Sequence, residues 1–136
     1  MADKLIIALV NANPESLIEA SLPLLQATVA ASMEYDVEVI FSGRSGKLAI
    51  KGFAETIFSS NDDKNEKQRN DEKDSDIEKS LQDYITEAYE AGVLFKVCTS
   101  ALELWGDSLI PEIHEIVGGT YLISEAMDPD TVTFTY

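Results

Sequence analysis

An uninterrupted apolar run near the start of the chain, Leu5–Val10, constrains the fold more than any other feature. Consecutive apolar residues without polar alternation are typical of a strand that is buried on both faces. Such strands occur in parallel sheets that helices cover on both sides. Further strand-like runs follow at Val37–Phe41 and Val93–Val97, next to glycine-containing turns. The sequence therefore predicts an α/β protein built around a parallel sheet.

A helical pattern follows the first predicted strand. Pro14 is well placed to open this helix, and apolar residues at helical spacing form one stripe, about four turns long, of the kind that faces a core. These residues are Ile18, Leu22, Leu25, Val29 and Met33. Pro23 interrupts the pattern, because a proline inside a helix removes one hydrogen bond and costs about 3 kcal/mol. Two alternatives remain open: a kink near Ala20, or a second helix capped by Ser21.

A charged stretch occupies the middle of the chain. Between Ser59 and Asp76, seven acidic and four basic side chains occur without one hydrophobic residue. Such a stretch cannot pack, so the sequence predicts a flexible surface insertion at about 59–76. The next helix is predicted to begin near Ser75 or Asp76, with Ser75 and Glu78 as a capping box, and to end at Gly92. Its expected buried stripe is Ile77, Leu81, Ile85 and Ala88.

The remaining segments complete the predicted fold. His114–Gly118 indicates a brief strand, Thr120–Ala126 a short helix, and Thr131–Tyr136 a final strand with alternating threonines. We expect the threonine face to be partly exposed or paired with another chain. Strands that alternate with helices predict one domain, 1–136, as a three-layer α/β/α sandwich with a mainly parallel five-stranded sheet.

The charge of the chain limits its partners. With 25 acidic and 10 basic residues, the formal net charge is -15, which repels nucleic acid and anionic membranes and attracts basic partners. The apolar run at the start is too short for a signal peptide or a membrane span. A single cysteine allows no intrachain disulfide and fits a reducing compartment. We therefore expect a cytoplasmic protein that binds neither nucleic acid nor membrane.

The only cysteine, Cys98, ends the third predicted strand just before a helical pattern. Ser100 and Glu103 have the spacing of a capping box, which predicts that Cys98 lies just ahead of a helix N-terminus. Unpaired N–H groups and aligned peptide dipoles at such a position favour the thiolate, which is the nucleophilic form. The alternative is that Cys98 is a small buried hydrophobic residue, as lone intracellular cysteines commonly are.

Polar residues follow the predicted strands at the ends where α/β proteins bind ligands. Asn11, Ser42 and Cys98 would line one crevice if their strands are neighbours. Arg44, framed by glycines, predicts either an anion-binding turn or a plain surface turn. The candidate lining around Cys98 comprises Asn11, Ser42, Arg44, Thr99, Ser100 and Trp105.

The only histidine, His114, gives little support for a metal site, because no cysteine or second histidine lies near it in the sequence. It could act as a general base for Cys98 if folding brings the two together, so a hydrolytic Cys98–His114 pair is a further hypothesis. The sequence predicts neither a metal nor a cofactor.

Several segments resemble the DsrE/DsrF-like family of sulfur-relay and sulfurtransferase proteins. They are Gly92–Cys98, Val117–Ile123 and Asp130–Phe134. The likeness covers nearly the whole chain outside the Ser59–Asp76 stretch. Its most specific element is the lone cysteine after the third long strand, with a glycine-led short helix downstream.

The resemblance implies a role for Cys98. Family members with this cysteine hold sulfur as a persulfide and pass it on, so the implied partners are sulfur-donor and acceptor proteins. The resemblance also implies a homo-oligomer, a trimer or hexamer, with sites near subunit interfaces. A peroxidase cycle is disfavoured, because the chain has no second cysteine. The resemblance assigns no role to Asn11, Arg44, Glu103 or His114.

Two readings of the function stay open beside the hydrolytic pair. The first is a sulfur carrier, with or without sulfurtransferase activity, that holds sulfane sulfur on Cys98. The alternative is a non-catalytic oligomeric scaffold, or a small-anion-binding module of the same fold, in which Cys98 is only packed.

Overall fold

A computed structural model describes residues 3–58 and 79–136. The strands are β1 (Lys4–Leu9), β2 (Asp36–Phe41), β3 (Leu94–Cys98), β4 (Ile113–Val117) and β5 (Thr131–Thr135). The α-helices are α1 (Leu17–Ser32), α2 (Leu81–Ala91), α3 (Thr99–Trp105) and α4 (Gly119–Ala126), and short 3-10 helices span Gly43–Ala49 and Ala54–Thr56. The predicted insertion at 59–76 lies outside the described residues.

The strands form one five-stranded sheet in the order β4-β3-β2-β1-β5. Every pairing is parallel, and the predicted α/β fold with a parallel sheet is confirmed. β1, β2 and β3 are neighbours, so the residues that follow them lie at the same edge of the sheet.

Helices cover the sheet on two sides and make the three layers. Ile7, Leu9 and Phe41 point into the larger core, which they share with α1, α2 and α3. Ile6 and Ile40 point to the other face, where the half-buried Tyr121 of α4 packs against them. Every helix among residues 3–58 and 79–136 is too short or too polar to serve as a membrane span.

Helix α1 turns a different face to the core from the one that its spacing predicts. The residues of the predicted stripe are exposed, each with 39% to 66% of its surface accessible to solvent. The buried residues are Leu17, Ala20, Ser21, Pro23, Leu24 and Ala27. Apolar residues occur on both sides of this helix, so periodicity alone does not identify the packed face. The alanines let α1 approach the sheet and α2 closely, which favours the observed face.

The start of α1 also differs from the prediction. Ser16 caps the helix, because its Oγ accepts a hydrogen bond from the backbone N–H of Glu19 at 3.2 Å, and Pro14 lies outside it. Pro23 lies within a continuous helix, and Ser21 is a buried residue of that helix instead of a second cap. The tertiary contacts of the buried face offset the hydrogen bond that Pro23 removes.

Helix α2 begins later than predicted. Its capping box is Ser80 with Asp83, whereas the predicted Ser75 and Glu78 lie outside the described residues. Gly92 ends the helix with φ at 111°, a left-handed conformation that favours glycine. Of the predicted stripe, Leu81, Ile85 and Ala88 are buried, and Ile77 lies outside the described residues.

A network of charged groups joins α4 to the sheet. Glu38 of β2 is almost completely buried between two lysines, with its carboxylate 3.0 Å from Lys4 Nζ and 3.2 Å from Lys96 Nζ. Tyr121 of α4 donates its hydroxyl to Glu38 at 2.5 Å and accepts from Lys96 at 2.8 Å. Glu125 of α4 accepts from Lys4 at 2.7 Å. Every residue of α4 keeps some solvent exposure, so these polar contacts supply much of its attachment.

Candidate functional site at the end of strand β3

Cys98 ends β3 and is itself the N-cap of α3, with φ -82° and ψ 144°. The predicted capping box of Ser100 and Glu103 is therefore wrong, because the helix begins two residues earlier than that pattern requires. Ser100 is the second helical residue, and its hydroxyl donates to Cys98 Sγ at 3.4 Å. The serine that was expected to cap the helix instead stabilises the sulfur.

Close packing of the 43–49 helix against α3 shapes the site. A side chain at Gly46 would place its Cβ only 2.4 Å from Ala101 Cβ, so only glycine permits this approach. Trp105 donates its indole N–H to the backbone oxygen of Gly43 at 2.9 Å. These contacts hold the end of β2 against α3, and they place the Ser42 hydroxyl within hydrogen-bond reach of the Cys98 sulfur.

The turn that contains Ser42 and Arg44 is also fixed to the end of β1. The backbone N–H of Arg44 donates to Val10 O at 3.1 Å, and its guanidinium Nε donates to Asn11 O at 2.8 Å. Gly43 adopts φ at +53°, and a Cβ there would lie 2.6 Å from Val10 O. Arg44 thus ties the turn to Asn11, whereas Ser42, Thr99 and Ser100 contact the sulfur.

The hydrogen bonds around Cys98 decide its ionisation. Burial by itself would raise the pKa of the thiol, but several hydrogen bonds outweigh it and the pKa is lowered. They come from the Ser100 hydroxyl and backbone N–H and from the hydroxyls of Ser42 and Thr99. Donors that stabilise the charged form shift the equilibrium towards the thiolate. The side chain is only partly buried, so a reagent can reach the sulfur.

His114 lies at the wrong end of β4 to assist Cys98. The cross-strand neighbour of Cys98 is Val117, and His114 precedes it by three residues. Three residues of a strand span about 10 Å, which is well beyond hydrogen-bond reach. The structure therefore does not bring the proposed hydrolytic pair together.

Backbone donors from α4 lie at the same edge of the sheet. Gly118 follows Val117 and is the N-cap of α4, whose first N–H groups have no side-chain cap among the described residues. This neighbour of Cys98 was not predicted from the sequence, although the pair Gly118–Gly119 was the available signal. In the part of the chain that the structure describes, no three His, Cys, Asp or Glu side chains group as metal ligands.

Comparison with known proteins assigns the chain to a family. A family model described as the DsrE/DsrF-like family matches residues 4–128. Curated protein sequences contain no match to the chain. The matched region includes all of β1 to α4 and the cysteine at the end of β3. The protein therefore belongs to the DsrE/DsrF-like family.

Proposed function

We propose that this protein is a sulfur carrier, which holds sulfane sulfur as a persulfide on Cys98 and passes it to an acceptor protein. The observation that carries the proposal is a partly exposed cysteine at the edge of the sheet whose sulfur accepts a hydrogen bond from the Ser100 hydroxyl at 3.4 Å. Family membership supports a sulfur-relay context. The cysteine site and the family membership are independent lines of support, because the first comes from hydrogen-bond geometry and the second from sequence similarity.

Both proposed steps are thiol–disulfide exchanges. The Cys98 thiolate attacks the outer sulfur of a donor persulfide, a new S–S bond forms on Cys98, and the donor leaves as a thiolate. In the second step an acceptor thiolate attacks the outer sulfur on Cys98, and the Cys98 thiolate leaves. The sulfane sulfur keeps its oxidation state throughout, so no external oxidant or reductant is needed. The leaving thiolate takes a proton from water.

The residues around Cys98 stabilise both the thiolate and the persulfide form of this side chain. The hydroxyls of Ser42, Thr99 and Ser100 that lower the thiol pKa can also donate to the negative charge on a persulfide. Leu102 lies one helical turn from Cys98 and is half-buried, so it supplies an apolar wall that limits access of water and reductants.

The partners of this reaction are sulfur-donor and acceptor proteins. A formal net charge of -15 favours donor and acceptor surfaces that carry basic residues, because opposite charge accelerates encounter. The proposal places the protein in the cytoplasm, and it includes the homo-oligomer that the resemblance implies. In this view Asn11 and Arg44 support the turn that carries Ser42 and do not contact the sulfur.

Intact-mass measurement after exposure to polysulfide tests the proposed function. We expect a gain of about 32 Da, one sulfur atom, on the peptide that contains Cys98, and loss of that mass on adding dithiothreitol. A protein whose Cys98 stays a free thiol under these conditions would be the packed-cysteine scaffold of the alternative hypothesis.

A further inference from the structure

Ser42 is the N-cap of the short helix that follows β2, but its hydroxyl does not cap that helix. A serine in this position usually accepts a hydrogen bond from the second or third N–H group of the helix. Here those two N–H groups belong to Arg44 and Ser45, and both donate to Val10 O, at 3.1 Å and 3.5 Å. Because Val10 satisfies these donors, the Ser42 hydroxyl is left to contact the Cys98 sulfur.

Gly43, the next residue in the chain, is held from two sides. Its φ of +53° brings its backbone so close to Val10 O that an added Cβ would lie 2.6 Å from that oxygen. On the other side, its carbonyl oxygen accepts the indole N–H of Trp105 at 2.9 Å. This hydrogen bond joins the turn to α3, the helix whose N-cap is Cys98. The direction of Ser42 relative to the sulfur therefore depends on Trp105.

The indole ring of Trp105 is itself held in place. Lys47 Nζ lies 5.4 Å from the centroid of this ring and 4.6 Å from that of Phe53, and both distances are within the range of cation–π contacts. The edge of the indole packs against backbone, because a Cβ added at Gly46 would lie 3.3 Å from Trp105 Cδ1. The ring is thus restrained on its face and at its edge while its N–H points at Gly43.

We propose that Trp105 is a positioning residue for Cys98. Its indole N–H holds the turn at Gly43 so that the Ser42 hydroxyl points at the sulfur and stabilises the thiolate. This role rests on the proposed function, because it keeps the sulfur of the carrier nucleophilic. Trp105 acts through Gly43 and Ser42, so it needs no contact with the sulfur or with a sulfur donor.

Loss of the indole hydrogen bond gives the Ser42 hydroxyl an alternative partner. Rotation of the turn away from Val10 frees the N–H groups of Arg44 and Ser45, and the hydroxyl can then cap its own helix. Hydrogen bonds weaken steeply when their angle falls below about 120°, so a modest rotation removes this donor from the sulfur. A thiolate with fewer donors is less stable relative to the thiol, and the pKa of Cys98 then rises.

The pH dependence of Cys98 alkylation by iodoacetamide, measured on the whole chain, tests the positioning role. Trp105→Phe keeps an aromatic ring but has no N–H, so the pH at which the rate is half-maximal should rise. It should rise by no more than in Ser42→Ala, because Trp105 acts only through that hydroxyl. Ser80→Ala is the control for lost stability, since it removes the N-cap of α2 and should leave this pH midpoint unchanged.

A double-mutant cycle separates positioning from general damage to the site. In a Ser42→Ala background, Trp105→Phe should produce no further rise in the pH midpoint, because the hydroxyl that Trp105 directs is already absent. A rise equal to the one that Trp105→Phe produces in the wild type would mean that the two residues act independently, and it would overturn the proposal. An unchanged midpoint in Trp105→Phe alone would overturn it as well.

A second replacement keeps the test available if Trp105→Phe does not fold. Trp105 is the only tryptophan, so biosynthetic incorporation of benzothienylalanine, in which sulfur replaces the indole N–H, changes this position alone. It retains the shape of the ring and should raise the pH midpoint as Trp105→Phe does, whereas an unchanged midpoint would contradict the proposal. Alkylation requires no sulfur uptake, so failure of the positioning role is distinguishable from failure of the proposed sulfur-carrier function.

Discussion

Cys98→Ser is expected to take up no sulfur from polysulfide, a complete loss of the mass gain of about 32 Da that the wild type should show. The chain has one cysteine, so no other thiol can replace it. A serine hydroxyl stays protonated at neutral pH and forms no persulfide. Intact-mass spectrometry over a time course measures the effect directly.

Two further variants separate the role of the sulfur from that of its surroundings. Ser100→Ala keeps the thiol but removes the hydroxyl that donates to Cys98 Sγ at 3.4 Å, so it should load sulfur more slowly and to the same extent. His114→Ala should load at the wild-type rate, because His114 lies about 10 Å along the neighbouring strand. Equal uptake by Cys98→Ser and the wild type would refute a carrier role for Cys98.

Glu38→Gln is expected to lower the free energy of unfolding by about 3 kcal/mol, because it leaves two partly or fully buried lysines without their shared carboxylate. Among the residues that the structure describes, Lys96 then keeps only Glu115, whose side chain is half exposed, as an ionic partner. A loss of this size should lower the melting temperature of a domain of this length by about 10 °C. Chemical denaturation followed by circular dichroism gives the free energy.

Glu87→Gln is the control for this substitution. Its partner Lys79 also lies at ion-pair distance, 2.8 Å, but the side chains of Lys79 and Glu87 are 34% and 50% exposed, so the expected cost is below about 1 kcal/mol. If Glu38→Gln cost no more than Glu87→Gln, the Glu38 network would not hold α4 to the sheet.

Acidification should reproduce part of the Glu38→Gln effect. Burial opposes ionisation of Glu38, but hydrogen bonds from Tyr121 and Lys4 and the charge of Lys96 lower its pKa in the folded protein. A carboxyl whose folded pKa is lowered contributes stability above its unfolded pKa of about 4.3 and loses it as the pH falls through the folded value. Over that range Glu38→Gln should show a weaker pH dependence of stability than the wild type.

Local patterns were sufficient to predict the parallel sheet. Leu5–Val10 and Val93–Val97 identified their strands to within one residue, because a strand buried on both faces needs an apolar run that few other structures require. The prediction that Asn11, Ser42 and Cys98 follow neighbouring strands depends only on strand order. The structure has that order.

The predictions for α1 and α3 that the structure contradicts failed for one physical reason. Both features depend on contacts between residues that are distant in the sequence. The packed face of α1 depends on which side of an apolar helix meets α2, and the register of α3 depends on Gly46 against Ala101. Glu38 and Lys96 are charged residues inside strands, and only the sheet pairing shows that they neutralise each other. Sequence spacing contains none of this information.

The pH dependence of the reaction of Cys98 with iodoacetamide tests most directly whether hydrogen bonds activate this thiol, since the rate follows the fraction of thiolate. A lowered pKa means that the rate should reach half its maximum at a lower pH than the reference, which is the same cysteine in a short unstructured peptide, and that Ser100→Ala should move this midpoint upward. A wild-type midpoint at or above that reference, unchanged in Ser100→Ala, would show that the hydrogen bonds do not activate Cys98 and would contradict the account.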